Sequence, residues 1–156
     1  MFELNIPGFG NLEIKNIVLD YNGTIAKDGV FFSELTEIIN ELSESIDIYV
    51  ITEDTFGTVE NNLSSLNVKI HKLKSDFESQ EKHEFVKSLG SKNTLSIGNG
   101  SNDELMLKES RVGICIMGEE GCSQKALSNS DIVIGNTKLA LELLKNPQRL
   151  KATLRY

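Results

Sequence analysis

The sequence predicts an α/β fold of three layers, a mostly parallel sheet with helices on both faces. Three observations predict it. Apolar runs of strand length, Ile17–Asp20, Ile46–Ile51, Thr94–Ile97 and Val112–Met117, are near-continuous, which is how strands buried on both faces read. Segments with apolar residues at helical spacing separate them. Several runs end in an acid or a small polar side chain, at the strand ends where open α/β sheets keep their ligands.

Taken in order, Phe2–Ile6 and Leu12–Ile14 alternate apolar and polar around P-G-F-G-N, so residues 1–15 read as an N-terminal β-hairpin. The first buried strand, Ile17–Asp20, follows directly. The loop from Tyr21 to Phe31 holds a second tight turn in A-K-D-G-V. Ser33 is the expected N-cap of a helix over Glu34–Ser43, with Leu35, Ile38, Ile39 and Leu42 on one face. Ile46–Ile51 is a strand ending in Thr52. A helix is expected from Thr55 to about Leu63, a strand over Val68–Leu73, and a helix over Glu78–Leu89 stopped by Gly90. Thr94–Ile97 is a short strand that runs into G-N-G-S-N-D. A helix over Asp103–Glu109, a strand over Val112–Met117, a helix over Cys122–Leu127 and a strand over Asp131–Ile134 come next. The last expected helix covers Lys138–Lys145 and stops before Pro147. Residues 147–156 form a tail that is basic (Arg149, Lys151, Arg155) against an acidic body; it docks on its own domain, docks on a partner subunit, or is solvated.

A chain of 156 residues suits one domain, 1–156, with a sizeable core. The hydrophobic share is 39% and the charged share 25%, an ordinary globular composition. The net charge of -7 argues against nucleic-acid or anionic-membrane binding, since both want a basic face. No apolar run approaches a membrane span and the N-terminus lacks a signal-like run, so the expected location is the cytoplasm. Cys115 lies in an apolar run and reads as a core thiol; Cys122 begins an expected helix, where a thiol is either packed or acidified. His71 and His83 have no ligand-like spacing.

Three strand ends carry the polar chemistry. Asp20 ends the first buried strand, with Asn22, Gly23 and Thr24 in the loop beyond it; Thr52 ends the next; Asn99, Asn102 and Asp103 follow Ile97. Lys82 lies near the start of the helix from Glu78. A carboxylate, a hydroxyl, an ammonium and an amide–carboxylate loop are the parts that phosphoryl transfer through an aspartyl phosphate needs. The carboxylate attacks phosphorus, the hydroxyl holds phosphoryl oxygens, and the lysine offsets developing charge. Both loops offer the oxygen donors that Mg²⁺ prefers.

These motifs resemble the haloacid dehalogenase (HAD) superfamily, in particular the phosphorylation domain of P-type ATPases as a small stand-alone protein. The first family motif, D-x-D-x-T or D-K-T-G-T, is D-Y-N-G-T here; the second is the Thr of Y-V-I-T; the third is the Lys of E-K-H-E-F; the fourth, G-D-G-x-N-D, is G-N-G-S-N-D. V-G-I-C-I-M-G and S-D-I-V-I also resemble the pump pattern, and the similarity runs over residues 16–134. The resemblance implies a Rossmann-like fold, Mg²⁺ as cofactor and a phosphorylated substrate, small molecule or macromolecule. It implies Asp20, Asn22 and Lys82 as catalytic residues and Thr52, Lys82, Gly23 and Thr24 as phosphate binders. Asp20, Asn22, Asn99 and Asp103 fall on the metal side, with Asn102 in support.

Two positions depart from the family. Asn22 stands where most HAD phosphatases have the acid–base Asp, and Asn99 where they have a metal-binding Asp. An amide does no acid–base work. The expected function is therefore a Mg²⁺-dependent phosphohydrolase slowed by these asparagines; the alternative is a weakened relative that serves as a regulatory or phosphate-binding module. A response-regulator receiver also uses Asp, Thr and Lys, but no acid pair precedes the first buried strand here. Both asparagines precede glycine, so deamidation is a route back to the ordinary motifs. The gaps from Thr24 to Thr52 and from Thr52 to Lys82 have no room for a cap domain. The site is then open to a large substrate or covered by a neighbouring subunit of a homo-oligomer, with the loop Ala26–Phe31 as a small flap. Glu53 and Asp54 fall near the site with no assigned role.

Overall fold

The computed structural model describes residues 1–53 and 57–156. The expected hairpin forms from β1 (Phe2–Ile6) and β2 (Gly10–Ile14), paired antiparallel. Next come β3 (Asn16–Asp20), the two-residue strands β4 (Ala26–Lys27) and β5 (Val30–Phe31), and α1 (Thr36–Ser43). The middle of the chain is β6 (Asp47–Thr52), α2 (Thr58–Asn62), β7 (Lys69–Lys72), α3 (Glu78–Leu89) and β8 (Thr94–Gly98). The last third is α4 (Glu104–Glu109), β9 (Val112–Ile116), α5 (Gln124–Ser128), β10 (Ile132–Ile134), α6 (Thr137–Lys145) and α7 (Pro147–Leu154).

Six strands form the central sheet in the order β10-β9-β8-β3-β6-β7, parallel throughout. Alternate residues of the inner strands face opposite layers. Ile17, Leu19, Ile48 and Val50 join a core with Ile39 of α1, Leu141 of α6 and Leu150 of α7. Val18, Ile51 and Cys115 pack instead with Val86 of α3, Met106 and Leu107 of α4, and Ala126 of α5. The near-continuous apolar strands follow from this: both faces are covered, and each buried aliphatic side chain contributes about 1.5–3 kcal/mol.

The order also fixes where a site can form. The chain leaves β3 for β6 on one flank and returns with β8 on the other. Loops after β3 and β8 therefore diverge, and a crevice opens between them at the carboxyl edge of the sheet.

Two expectations change, a third falls partly outside the described residues, and the tail takes one of its three alternatives. Ser33 does not cap α1; it opens a single 3-10 turn, Ser33–Leu35, and no side chain caps the N-terminus of that turn or of α1. The helix expected from Cys122 begins at Gln124, capped by the Ser123 hydroxyl, which accepts from the Ala126 N–H. Cys122 is thus outside the helix. The helix expected from Thr55 begins, within the described residues, at Thr58; Asp54 and Thr55 lie outside them. The C-terminal tail is ordered: Pro147 starts α7, Leu150 and Leu154 are buried, and the Tyr156 N–H donates to the Pro7 carbonyl at 3.2 Å. Pro suits the first helical turn, where its missing N–H costs nothing. The tail docks on the hairpin of its own chain.

Candidate active site

The crevice between β3 and β8 holds a cavity of about 220 Å³ lined by Asp20, Asn22, Thr52, Glu53, Lys82, Asn99, Asn102 and Glu120. The carboxyl ends of five parallel strands, β3 and β6 to β9, converge there.

At its floor is a buried charge cluster. Lys82, on the second turn of α3, is 1% exposed and donates to Asp20 Oδ1 at 2.6 Å and to Asp103 Oδ1 at 2.7 Å. Asp103 is wholly buried, and its Oδ2 accepts the N–H groups of Asn99 and Gly100, both at 2.9 Å. Both of its carboxylate oxygens are engaged. Asp103 therefore holds Lys82 and the β8 loop from behind and does not line the cavity, contrary to the metal-side place expected for it. Gly98 makes this possible, because a Cβ there would lie 2.5 Å from the Asp103 carboxyl carbon.

Two carboxylates and one ammonium leave the cluster with an excess negative charge. Burial pushes the Asp20 carboxyl up to about 7 and the Asp103 charge adds to the effect, while Lys82 pulls it down. Burial alone would lower the Lys82 pKa, but the Asp20 and Asp103 charges more than offset it, so the ammonium stays protonated above its usual range.

The loop after β3 turns sharply. Gly23 has φ +79° and its N–H donates to the Ala26 carbonyl at 2.7 Å. A Cβ at Gly23 would fall 2.5 Å from Asn99 Nδ2, 2.7 Å from Asn99 Oδ1 and 2.6 Å from Glu120 Oε2. Glycine is required twice there, for the positive φ and for this approach. Thr24 lies away from the cavity: it is 1% exposed, its carbonyl accepts from the Thr137 hydroxyl, and its own Oγ1 is buried without a partner. It lines a separate cavity of about 350 Å³ between the Gly23 loop and the start of α6, so it does not reach the site expected for it. Gly23 also lines that second cavity, and Glu120 lines both cavities.

The rest of the rim is polar. Asn102 Nδ2 donates to Glu78 Oε2 at 2.6 Å. Glu53 is raised above the usual carboxylate range by a hydrogen bond and repulsion from Glu78. The β4–β5 hairpin is the expected flap. Asp28 and Gly29 both have positive φ, as a tight two-residue turn requires. Asn62 of α2 ties the flap down, donating to the Gly29 carbonyl at 3.0 Å and to the Tyr21 hydroxyl at 3.1 Å, and Lys27 pairs with Glu119.

Sequence reasoning missed Glu120. It belongs to G-E-E-G, the turn after β9, closed by a bridge between Gly118 and Gly121. A further acidic loop at the same sheet edge was the available signal. Burial pushes the Cys115 thiol up to about 12, aided by a hydrogen bond with Cys122. His71, on edge strand β7, stacks on Phe85 at 4.0 Å.

The donor set fits a hard divalent cation. Asp20 and Asn99 line one cavity, the one with a carboxylate to offer and the other with an amide, and the buried cluster beneath them carries surplus negative charge. Among the described residues no three His, Cys, Asp or Glu side chains are grouped so as to hold a metal ion by themselves.

No family model matches the chain. Over 72 residues, 46% of this chain and 77% of the relative, it is 49% identical to an uncharacterised protein of Methanocaldococcus jannaschii. Over 142 residues it is 24% identical to a soluble P-type ATPase-like phosphatase of the same organism, covering 88% of this chain and 52% of that protein. The chain thus spans about half of that phosphatase. Phospholipid-transporting ATPases match more locally; the human ATPase IG is 50% identical over 60 residues, 5% of its length. Among solved structures, the 3-deoxy-D-manno-octulosonate 8-phosphate phosphatase of Moraxella catarrhalis, in complex with magnesium, phosphate and its sugar acid, superimposes with a TM-score of 0.70. It shares 20% identity, over 91% of this chain and 94% of that one. Among the described residues no helix is long and apolar enough to cross a membrane.

Proposed function

We propose that this chain, which belongs to the haloacid dehalogenase superfamily and has its α/β fold, is a Mg²⁺-dependent phosphohydrolase with Asp20 as nucleophile. One observation carries the proposal: Lys82 is buried between Asp20 and Asp103 at the switch point of the sheet, with Thr52 and Asn99 on the loops either side. The phosphatase names of its relatives support the reading.

Asp20 would attack phosphorus with the oxygen that Lys82 does not hold. The P–O bond to the leaving group breaks, and an aspartyl phosphate forms on Asp20. Lys82 and Thr52 would hold the equatorial phosphoryl oxygens. Asp103 fixes Lys82, so the ammonium meets developing charge without reorganising. Water then attacks phosphorus and the Asp20 carboxylate leaves. Asp20, Asn99 and a backbone oxygen of the Asn22 loop would hold Mg²⁺, which supplies charge neutralisation at the phosphoryl group. Asn22 can orient the leaving group by hydrogen bonding but transfers no proton, so leaving groups that depart unprotonated are favoured. The open cavity and the lack of an inserted cap among the described residues suit a phosphorylated substrate large enough to reach past the flap.

The two asparagines favour a second reading, a regulatory module that binds phosphate or a phosphorylated partner without turnover. Release of phosphate from an aryl phosphate, with and without Mg²⁺, separates the two. Turnover by the native protein and none by Asp20→Asn supports the enzyme. An inactive native protein, with Asp20-dependent turnover gained on Asn22→Asp with Asn99→Asp, supports the module.

A further inference from the structure

The amide at position 99 raises the question of where the cation side of the cavity finds a second carboxylate. Asn99 is 8% exposed, and its two side-chain ends are used differently. Nδ2 donates to the Gly121 carbonyl at 3.2 Å, a bond an aspartate at this position would be unable to make. Among the described residues Oδ1 receives no hydrogen bond. The Asn99 carbonyl also accepts the Ser123 N–H at 2.9 Å. Position 99 therefore grips the turn after β9 on both sides of Cys122. The Gly121 N–H closes that turn on the Gly118 carbonyl at 2.9 Å, and Lys27 of the flap pairs with Glu119. The residue this frame presents is Glu120. Its Oε2 lies 2.6 Å from the point where a Gly23 Cβ would sit, beside the Asn99 side chain, whose Oδ1 is 2.7 Å and Nδ2 2.5 Å from the same point, and it lines the cavity with Asp20.

We infer that Glu120 supplies the carboxylate that position 99 lacks, completing with Asp20 and the Asn99 amide oxygen an oxygen donor set for a divalent cation. Asn99 acts here in a second capacity, as the positioning residue for the loop that carries Glu120. A hard cation binds carboxylates more tightly than neutral amides, and Asp20 with Asn99 alone supplies a single carboxylate. A glutamate on a solvent-facing turn also reaches its ligand without a buried charge waiting in the empty site.

The inference rests on the proposed Mg²⁺ site, and the test keeps the two apart. Mn²⁺ is titrated calorimetrically into the wild type, Asp20→Asn, Glu120→Gln and Asn99→Asp with Glu120→Gln, with the Mn²⁺-induced rise in melting temperature as a second readout. Glu120 is exposed, so Glu120→Gln folds, which circular dichroism checks. Glu120→Gln is expected to bind Mn²⁺ about 10–100-fold more weakly, the usual cost of disturbing a metal site. Asn99→Asp in that background is expected to recover most of the loss. Wild-type affinity in Glu120→Gln, with binding lost in Asp20→Asn, overturns the role of Glu120 and leaves the proposed site standing. No Mn²⁺ binding by the wild type overturns both.

Discussion

The buried cluster of Asp20, Lys82 and Asp103 makes a prediction about stability that needs no substrate. Lys82→Met keeps the aliphatic stem and removes the ammonium that bridges Asp20 at 2.6 Å and Asp103 at 2.7 Å. Two carboxylates then face each other in a buried site. Breaking a buried pair by deleting one partner costs about 3–5 kcal/mol. For a domain of this size that is a fall in melting temperature of roughly 6–20 °C. Asp20→Asn moves the other way. The Asp20 carboxyl, ordinarily near 3.8, titrates at about 7 in the fold, so its ionised form is held against its preference. A shift of that size corresponds to about 2–4 kcal/mol recovered when the charge is removed above pH 7.

The pH dependence has a definite sign. Because folding raises the Asp20 pKa, the folded state binds that proton more tightly. Its contribution is full below about pH 4 and is lost as pH rises through 7. The gain from Asp20→Asn therefore grows from pH 4 to pH 8, and the loss from Lys82→Met shrinks on acidification. Thermal unfolding with a chelator present, followed by circular dichroism at pH 5 and pH 8, gives the order expected at pH 8: Asp20→Asn, wild type, the double variant, Lys82→Met. A double variant no more stable than Lys82→Met, or an Asp20→Asn protein that melts below wild type at pH 8, refutes charge imbalance as the cause.

Asn22→Asp supplies the missing acid–base group and is expected to raise turnover of alkyl phosphates by about 10²–10⁴-fold, with a smaller gain on aryl phosphates, whose leaving groups need no proton; equal gains on both would count against the assignment. Gly23→Ala places a Cβ against Asn99 and Glu120 at positive φ, where the backbone alone costs about 1–2 kcal/mol, and it should lower the melting temperature and the Mn²⁺ affinity together. Deamidation at Asn22-Gly23 and Asn99-Gly100 requires attack by the glycine nitrogen, yet the Gly23 N–H donates to Ala26 and the Gly100 N–H to Asp103. With two or three hydrogen bonds to open, at about 1 kcal/mol each, peptide mapping should find both sites deamidating roughly 30–160-fold more slowly in folded than in urea-unfolded protein.

The parts of this molecule legible in its sequence are those that local chemistry decides. Ile17–Asp20, Ile46–Thr52 and Thr94–Ile97 announce buried strands because both faces are covered, and Glu78–Leu89 announces its helix and stop because Gly90 takes a positive φ. Ser33 failed as a cap because the chain enters α1 through a 3-10 turn, a choice set by Leu35 seeking the core and not by the hydroxyl. The tail was illegible for a similar reason: α7 is held by Leu150 and Leu154 against the hairpin, nearly the whole chain away.

At the candidate site, residue types were readable and their directions were not. Asp103 and Thr24 sit in motifs that suggest contact with a ligand, yet one is turned inward to hold Lys82 and the other is buried beside Thr137. Glu120 sits in a plain acidic turn, exposed, yet it lines the cavity. What decides between them is whether backbone N–H groups claim the side chain first. The Asn99 and Gly100 N–H groups claim Asp103, whereas none is recorded on Glu120 among the described residues. A carboxylate already holding two N–H donors and an ammonium gains little from a cation. One that holds none, and shares its position with an amide oxygen, gains most. That difference is why the two asparagines, read along the chain, suggest a site short of acid, while the proposed cation site takes its second acid from the turn after the next strand.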